Sequence, residues 1–130
     1  MALCIFNMKD NTLHFSGANR PLILVRDGEL STVNVNKYGV GGLLGFKKEF
    51  VTEYMKIQKG DCYYIYSDGY PDQFGGPKNK KFMKKKLNEL ILANSSEKMD
   101  QQEKALLTAF NDWKGSVEQI DDVCLVGVRV

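Results

Sequence analysis

Three carboxylates stand where this chain could do metal chemistry. One is Asp68, in Tyr66-Ser67-Asp68-Gly69. The others are Asp121 and Asp122, just before Val123-Cys124-Leu125-Val126. Asp68 follows a tyrosine-rich apolar run at residues 62–66, and the pair precedes a β-branched run at 123–130. If those two runs are antiparallel neighbours, the end of one lies beside the start of the other, and Asp68 meets Asp121 on one rim of a sheet. Carboxylates held that close repel each other unless a proton or a cation stands between them. A hard divalent cation such as Mg²⁺ suits the arrangement, because it takes one or two carboxylates and keeps several waters. Asp-Gly is also a common turn dipeptide, and Asp a common cap before a strand, so local sequence leaves a purely structural role open.

Other candidates for chemistry fall away. Gly39-Val40-Gly41-Gly42-Leu43-Leu44-Gly45 invites a phosphate-loop reading, but the dinucleotide pattern needs glycine where Leu44 stands, and no Gly-Lys-Ser/Thr follows. It reads as a connector. His14 lies between Leu13 and Phe15, so strand alternation turns it to the surface, away from a catalytic role. Cys4, Cys62 and Cys124 are odd in number, far apart and without C-x-x-C spacing, which argues against a disulfide framework and a zinc site. They read as buried reduced thiols, with a cytoplasmic location expected.

Composition narrows the class further. Hydrophobic residues make up 43% and charged residues 26%, ordinary globular usage that excludes disorder as the main state. No apolar run approaches the roughly 20 residues that a membrane span needs. The net charge is +2, yet Lys78, Lys80, Lys81, Lys84, Lys85 and Lys86 crowd one segment, leaving 12 basic residues against 16 acidic elsewhere. A nucleic-acid domain spreads basic residues over a face and adds stacking aromatics; this run reads as a solvated loop and first helical turn, and no nucleic-acid partner is expected.

The elements that must position the carboxylates follow from periodicity and turn chemistry. Residues 2–8 and 12–16 read as strands around an Asp10-Asn11 turn. Residues 22–26 are apolar on both faces and read as a buried strand, and Asp27-Gly28 is a hairpin turn into residues 29–35. Two further strands are expected at 50–57 and 62–66, followed by a Gly- and Pro-rich irregular stretch over 67–77. Met83, Leu87, Leu90 and Ile91 share one helical face. A second helix opens on Asp100-Gln101-Gln102-Glu103, a capping-box pattern, carries Met99, Leu106, Phe110 and Trp113 on one stripe, and stops at Gly115. The last strand covers 123–130, with Cys124, Val126, Val128 and Val130 on one face. All 130 residues form a single domain. Its class is α+β, with helices packed on antiparallel sheet and the last strand beside residues 62–66.

At these residues the chain resembles a family. Tyr66-Ser67-Asp68-Gly69-Tyr70-Pro71-Asp72 resembles the Asp-Gly motif of metal-dependent protein phosphatases (PPM), in their SpoIIE-like bacterial serine phosphatase branch. Gln119-Ile120-Asp121-Asp122-Val123-Cys124-Leu125-Val126 resembles that branch's terminal motif. Phe15-Ser16-Gly17-Ala18-Asn19-Arg20-Pro21-Leu22 resembles its A-G-(H/A)-N-x-P-L segment, and Gly60-Asp61 also fits. The resemblance implies an antiparallel β-sandwich with flanking helices and a two-metal site in which Mn²⁺ or Mg²⁺ activates a water against phosphoserine or phosphothreonine. It implies a metal-ligand role for Asp68 and Asp121, with Gly69 and Asp122 secondary. It also implies a phosphoprotein substrate of the anti-sigma-factor-antagonist kind.

One family segment, of the D-x-S-G-H-G type and carrying the metal-bridging Asp, has no counterpart in this sequence. The chain is therefore expected to represent the C-terminal part of the domain, to bind cations weakly or not at all, and to be inactive alone. Lost strands would leave apolar faces that a homodimer covers. The competing expectation is a non-catalytic partner-binding module of the same fold.

Overall fold

The computed structural model describes residues 1–41 and 49–130. In its first half the strands are β1 (Ala2–Asn7), β2 (Thr12–Gly17), β3 (Leu22–Arg26), β4 (Glu29–Val33), β5 (Glu53–Lys56) and β6 (Cys62–Tyr66). Then come a one-turn helix α1 (Gly69–Asp72), two short strands β7 (Phe74–Gly75) and β8 (Lys80–Lys81), helices α2 (Lys84–Asn94) and α3 (Met99–Lys114), and β9 (Leu125–Arg129).

Among the described residues the named strands pair antiparallel, and the main ones form two sheets, ordered β1-β2-β5 and β4-β3-β6-β9. Asp27 and Gly28 have φ of 50° and 77°, the positive values of a two-residue turn whose twist matches its strands. The sheets face each other across Leu13, Phe15, Leu22, Leu24 and Tyr63, with Phe6 edge-on to Tyr63 at 5.4 Å. On its far side the second sheet turns Ile23, Val25, Cys62, Tyr64 and Tyr66 towards the helices, where Leu87, Ile91, Leu106 and Phe110 close a second core. The four-stranded sheet is thus buried on both faces, which is why Leu22-Ile23-Leu24-Val25 shows no polar alternation. This is the α+β class expected from sequence, an antiparallel β-sandwich with flanking helices. Among the described residues the helices cover only the second sheet. On the outer face of the first, Leu3, Ile5 and Tyr54 are exposed, and His14 lies against Tyr54, on the surface side as expected.

Several local expectations are corrected. Strands expected at 29–35 and 50–57 are shorter, because the Asn36 side chain accepts the Val51 amide and the Asn36 amide bonds to the Gly17 carbonyl. The 67–77 stretch is more regular than its composition implies, forming α1 and pairing β7 with β8. Met83 does not join the apolar face of α2. It precedes that helix with φ of 79° and is exposed, while Phe82 takes the buried place. The capping box does not form: Lys98 caps α3 and its carbonyl accepts the Gln101 and Gln102 amides. The Gln102 side chain goes inward instead, accepting from the Tyr64 hydroxyl at 2.6 Å and donating to the Glu97 carbonyl. Of the three thiols, Cys62 is buried as expected, but Cys4 is partly exposed and Cys124 exposed, since the last strand begins only at Leu125. The lysine run stays on the surface, where Lys86 stacks on Trp113 at 3.7 Å and Lys81 pairs with Asp72. The Gly39–Gly45 connector falls largely outside the described residues.

Candidate functional site

The carboxylate rim is built by the pairing of β6 with β9. Their register runs from Cys62 opposite Arg129 to Tyr66 opposite Leu125. The ladder continues past the strand ends: the Ser67 amide donates to the Cys124 carbonyl, and the Cys124 amide donates to the Ser67 hydroxyl at 2.9 Å. That hydroxyl in turn donates to the Asp122 carbonyl at 2.8 Å. Gly69 follows, packed so tightly that a Cβ there would overlap the Asp122 carbonyl oxygen and lie 3.2 Å from that of Asp121. Only glycine allows this backbone-to-backbone approach. The antiparallel pairing inferred from sequence is therefore present, and it brings the backbones bearing Asp68, Gly69, Asp121 and Asp122 to one end of the second sheet.

The side chains are engaged differently. The Asp68 carboxylate accepts a hydrogen bond from Arg20 Nη2 at 2.6 Å, forming a half-exposed ion pair. Burial would raise the Asp68 pKa, but the Arg20 hydrogen bond and charge outweigh it and hold the carboxyl below its ordinary range. Asp121 is exposed, and its Oδ1 accepts the amide of Asp122 at 2.8 Å. Gln119 braces the turn by donating to the Asp121 carbonyl. Asp122 is exposed and contributes its backbone to the rim.

Among the described residues, no three His, Cys, Asp or Glu side chains gather as a group that could hold a metal ion. Divalent cations of this class want a larger set of oxygen donors. Here one carboxylate is committed to a guanidinium and the other to its own turn. The donors present do not by themselves fit a cation.

Two participants went unrecognised in the sequence: Ser67, which stitches the rim, and Arg20, which neutralises Asp68. Arg20 was within reach of a register argument. β3 pairs with β6 through Ile23 opposite Tyr64 and Val25 opposite Cys62. Continuing that register backwards sets Arg20 across from Ser67, next to Asp68. The missing ingredient was the β3–β6 pairing itself, which joins strands distant in sequence.

The family model described as Stage II sporulation protein E (SpoIIE) matches residues 1–130. Among solved structures, the chain is similar to the SiaA-PP2C domain of Pseudomonas aeruginosa, with a TM-score of 0.90 and 20% identity over 99% of this chain and 50% of that one. It is also similar to the RsbU and RsbW domains of Rv1364c from Mycobacterium tuberculosis, with a TM-score of 0.74 and 20% identity over 98% of this chain and 35% of that one. A third neighbour is the phosphatase domain of the cell fate determinant SpoIIE from Bacillus subtilis, presoaked with Mn, with a TM-score of 0.65 and 17% identity over 100% of this chain and 56% of that one. The chain thus spans about half or less of the length of these three structures. A search of curated proteins gives no match. No helix among the described residues is long and apolar enough to cross a membrane.

Proposed function

The chain belongs to the SpoIIE family, and from that premise we propose that it carries the carboxylate rim of a metal-dependent protein serine/threonine phosphatase domain, of which it supplies one part. In the intact domain Asp68 and Asp121 are cation ligands for Mn²⁺ or Mg²⁺, and the substrate is a phosphoserine or phosphothreonine protein of the anti-sigma-factor-antagonist class. The observation carrying this reading is the packing of Gly69 on the Asp122 carbonyl, which unites the two aspartate segments in the order that the family motifs require. Because the donors present do not fit a cation, the chain alone is expected to be inert. Its hydrolysis of p-nitrophenyl phosphate with millimolar Mn²⁺ should not exceed the protein-free rate. Robust turnover that disappears in Asp68→Ala would overturn this.

A second reading, a non-catalytic module that binds a partner, draws on the uncovered outer face of the first sheet. Leu3, Ile5 and Tyr54 are exposed there, and on the edge strand β9 Val126 and Val128 are 46% and 37% exposed. Apolar surface and an open strand edge of this kind favour association. The chain is expected to dimerise, and a concentration-independent monomer mass by light scattering would count against it.

A further inference from the structure

We propose that the lysine-rich surface formed by the β7–β8 hairpin and the first turn of α2 docks an acidic, extended segment of a protein partner. The inference stands apart from the phosphatase reading and uses none of the rim carboxylates.

Three observations converge. The first is unbalanced charge. Lys78, Lys80, Lys81, Lys84, Lys85 and Lys86 are all exposed. Lys81 pairs with Asp72 at 3.3 Å and Lys85 reaches Glu89 at 3.9 Å, but among the described residues Lys78, Lys80 and Lys84 form no ion pair. Lys84, Lys85 and Lys86 also fill the first turn of α2, which has no acidic residue and no side-chain cap, so they add to the positive end of the helix dipole instead of offsetting it. An anionic partner would relieve that repulsion. The second observation is a fixed scaffold. The Phe82 amide and Trp113 Nε1 both donate to the Gln73 carbonyl, and the Met83 amide donates to the Pro71 carbonyl at 2.8 Å. A partner therefore meets backbone that is already ordered, which lowers the cost of docking. The third is a cleft of about 480 Å³ beside the lysines, lined by Pro77, Lys86, Glu89, Leu90, Asp112 and Trp113. It offers an apolar side chain a place against the indole.

Together these features select the chemistry of the partner. Asp72, Glu89 and Asp112 interrupt the positive surface and would repel the unbroken phosphate backbone of a nucleic acid. A peptide spaces its carboxylates and carries apolar side chains between them, matching lysines set around an apolar cleft.

The test titrates the full chain into a short fluorescein-labelled peptide of glutamates with a central leucine, read by fluorescence anisotropy. Binding should saturate at low salt and weaken as salt rises. The triple variant Lys78→Glu/Lys80→Glu/Lys84→Glu should bind about tenfold more weakly, in keeping with the loss of several exposed ion pairs. Lys9→Glu/Lys59→Glu/Lys104→Glu, which makes the same change in net charge at exposed positions elsewhere, should bind as the unaltered chain does. Circular dichroism melts confirm that each variant is folded. Should the first triple variant not fold, glutamine at the same three positions is read in the same way, with a smaller loss expected. No saturable binding at low salt overturns the proposal, as do equal losses in the two triple variants. Tighter binding of single-stranded DNA of matched charge through the same lysines also overturns it, in favour of a nucleic-acid surface.

Discussion

Asp61→Ala should lower the unfolding free energy by about 3 kcal/mol, or roughly 10 °C in Tm, by calorimetry or denaturant titration. Asp61 is 2% exposed and accepts four hydrogen bonds. Arg26 of β3 grips it with two, at 2.8 and 2.7 Å, the Gln58 amide gives a third and the Tyr63 hydroxyl of β6 a fourth. Arg26 also donates to the Lys56 carbonyl of β5, so one carboxylate ties the first sheet to the second. Removing it strands a guanidinium and a buried hydroxyl. Arg26 is still about one-third exposed, so water relieves part of the loss, and the expected cost sits at the lower end of the range for broken buried pairs.

The same cluster gives a pH signature. Burial alone would raise the Asp61 pKa. The Arg26, Gln58 and Tyr63 hydrogen bonds and the Arg26 charge together prevail, and the carboxyl is held below its ordinary range. The unfolded chain then takes up a proton near pH 4 where the folded chain does not. The contribution is therefore complete above about pH 4 and is lost as pH falls towards the depressed folded value. Tm should decline more steeply below about pH 4 in the unaltered chain than in Asp61→Asn, which has no proton to gain. Parallel declines would show that Asp61 is not the group responsible.

Gly69→Ala is expected to cost about 2–3 kcal/mol, towards the upper end for an overpacked site. The added methyl meets backbone, with the Asp122 carbonyl carbon 2.9 Å from its position, so no side chain can swing aside. Relief requires the backbone at Gly69, the start of α1, to move away from that at Asp122, which would strain the Ser67 bonds to Cys124 and Asp122. Backbone amide shifts should move at Ser67, Asp122 and Cys124 while those of the β3–β4 hairpin stay in place. Gly28 makes the comparison: it has φ of 77° but open space around it, so alanine there meets only the conformational penalty, about 1 kcal/mol. Equal losses at the two glycines would refute the close-approach argument.

What could be read in advance divides along a physical line. The Asp27-Gly28 hairpin, the doubly buried β3 and the β6–β9 pairing were all foreseeable, because turn chemistry and apolar periodicity act over a few residues. The rim followed from that pairing. Arg20 and Asp61 were not recognised, since each is decided by the reach of a side chain between strands far apart in sequence. The capping box shows the same limit from the other side. Its local pattern is sound, yet the Tyr64 hydroxyl recruits Gln102 into the core, and Lys98 becomes the cap. Met83 yielded its expected place to Phe82, which stands edge-on to both Tyr70 and Trp113.

The position of β9 at the margin of its sheet has a thermodynamic consequence for the rim. Among the described residues β9 has a strand neighbour on one side only, β6, and the two partners Cys62 and Arg129 are 67 residues apart. Hairpins such as β1–β2 and β3–β4 close short loops, whereas this pairing must close a long one and gains no second neighbour in return. Detachment of the final strand is then a sub-global opening whose free energy lies below that of complete unfolding. In such an opened state most of the sandwich persists, but Asp121 has left Asp68. The carboxylate pair is present only for the fraction of time that the last strand is docked, and anything that binds along that strand's free edge would raise that fraction without touching either aspartate.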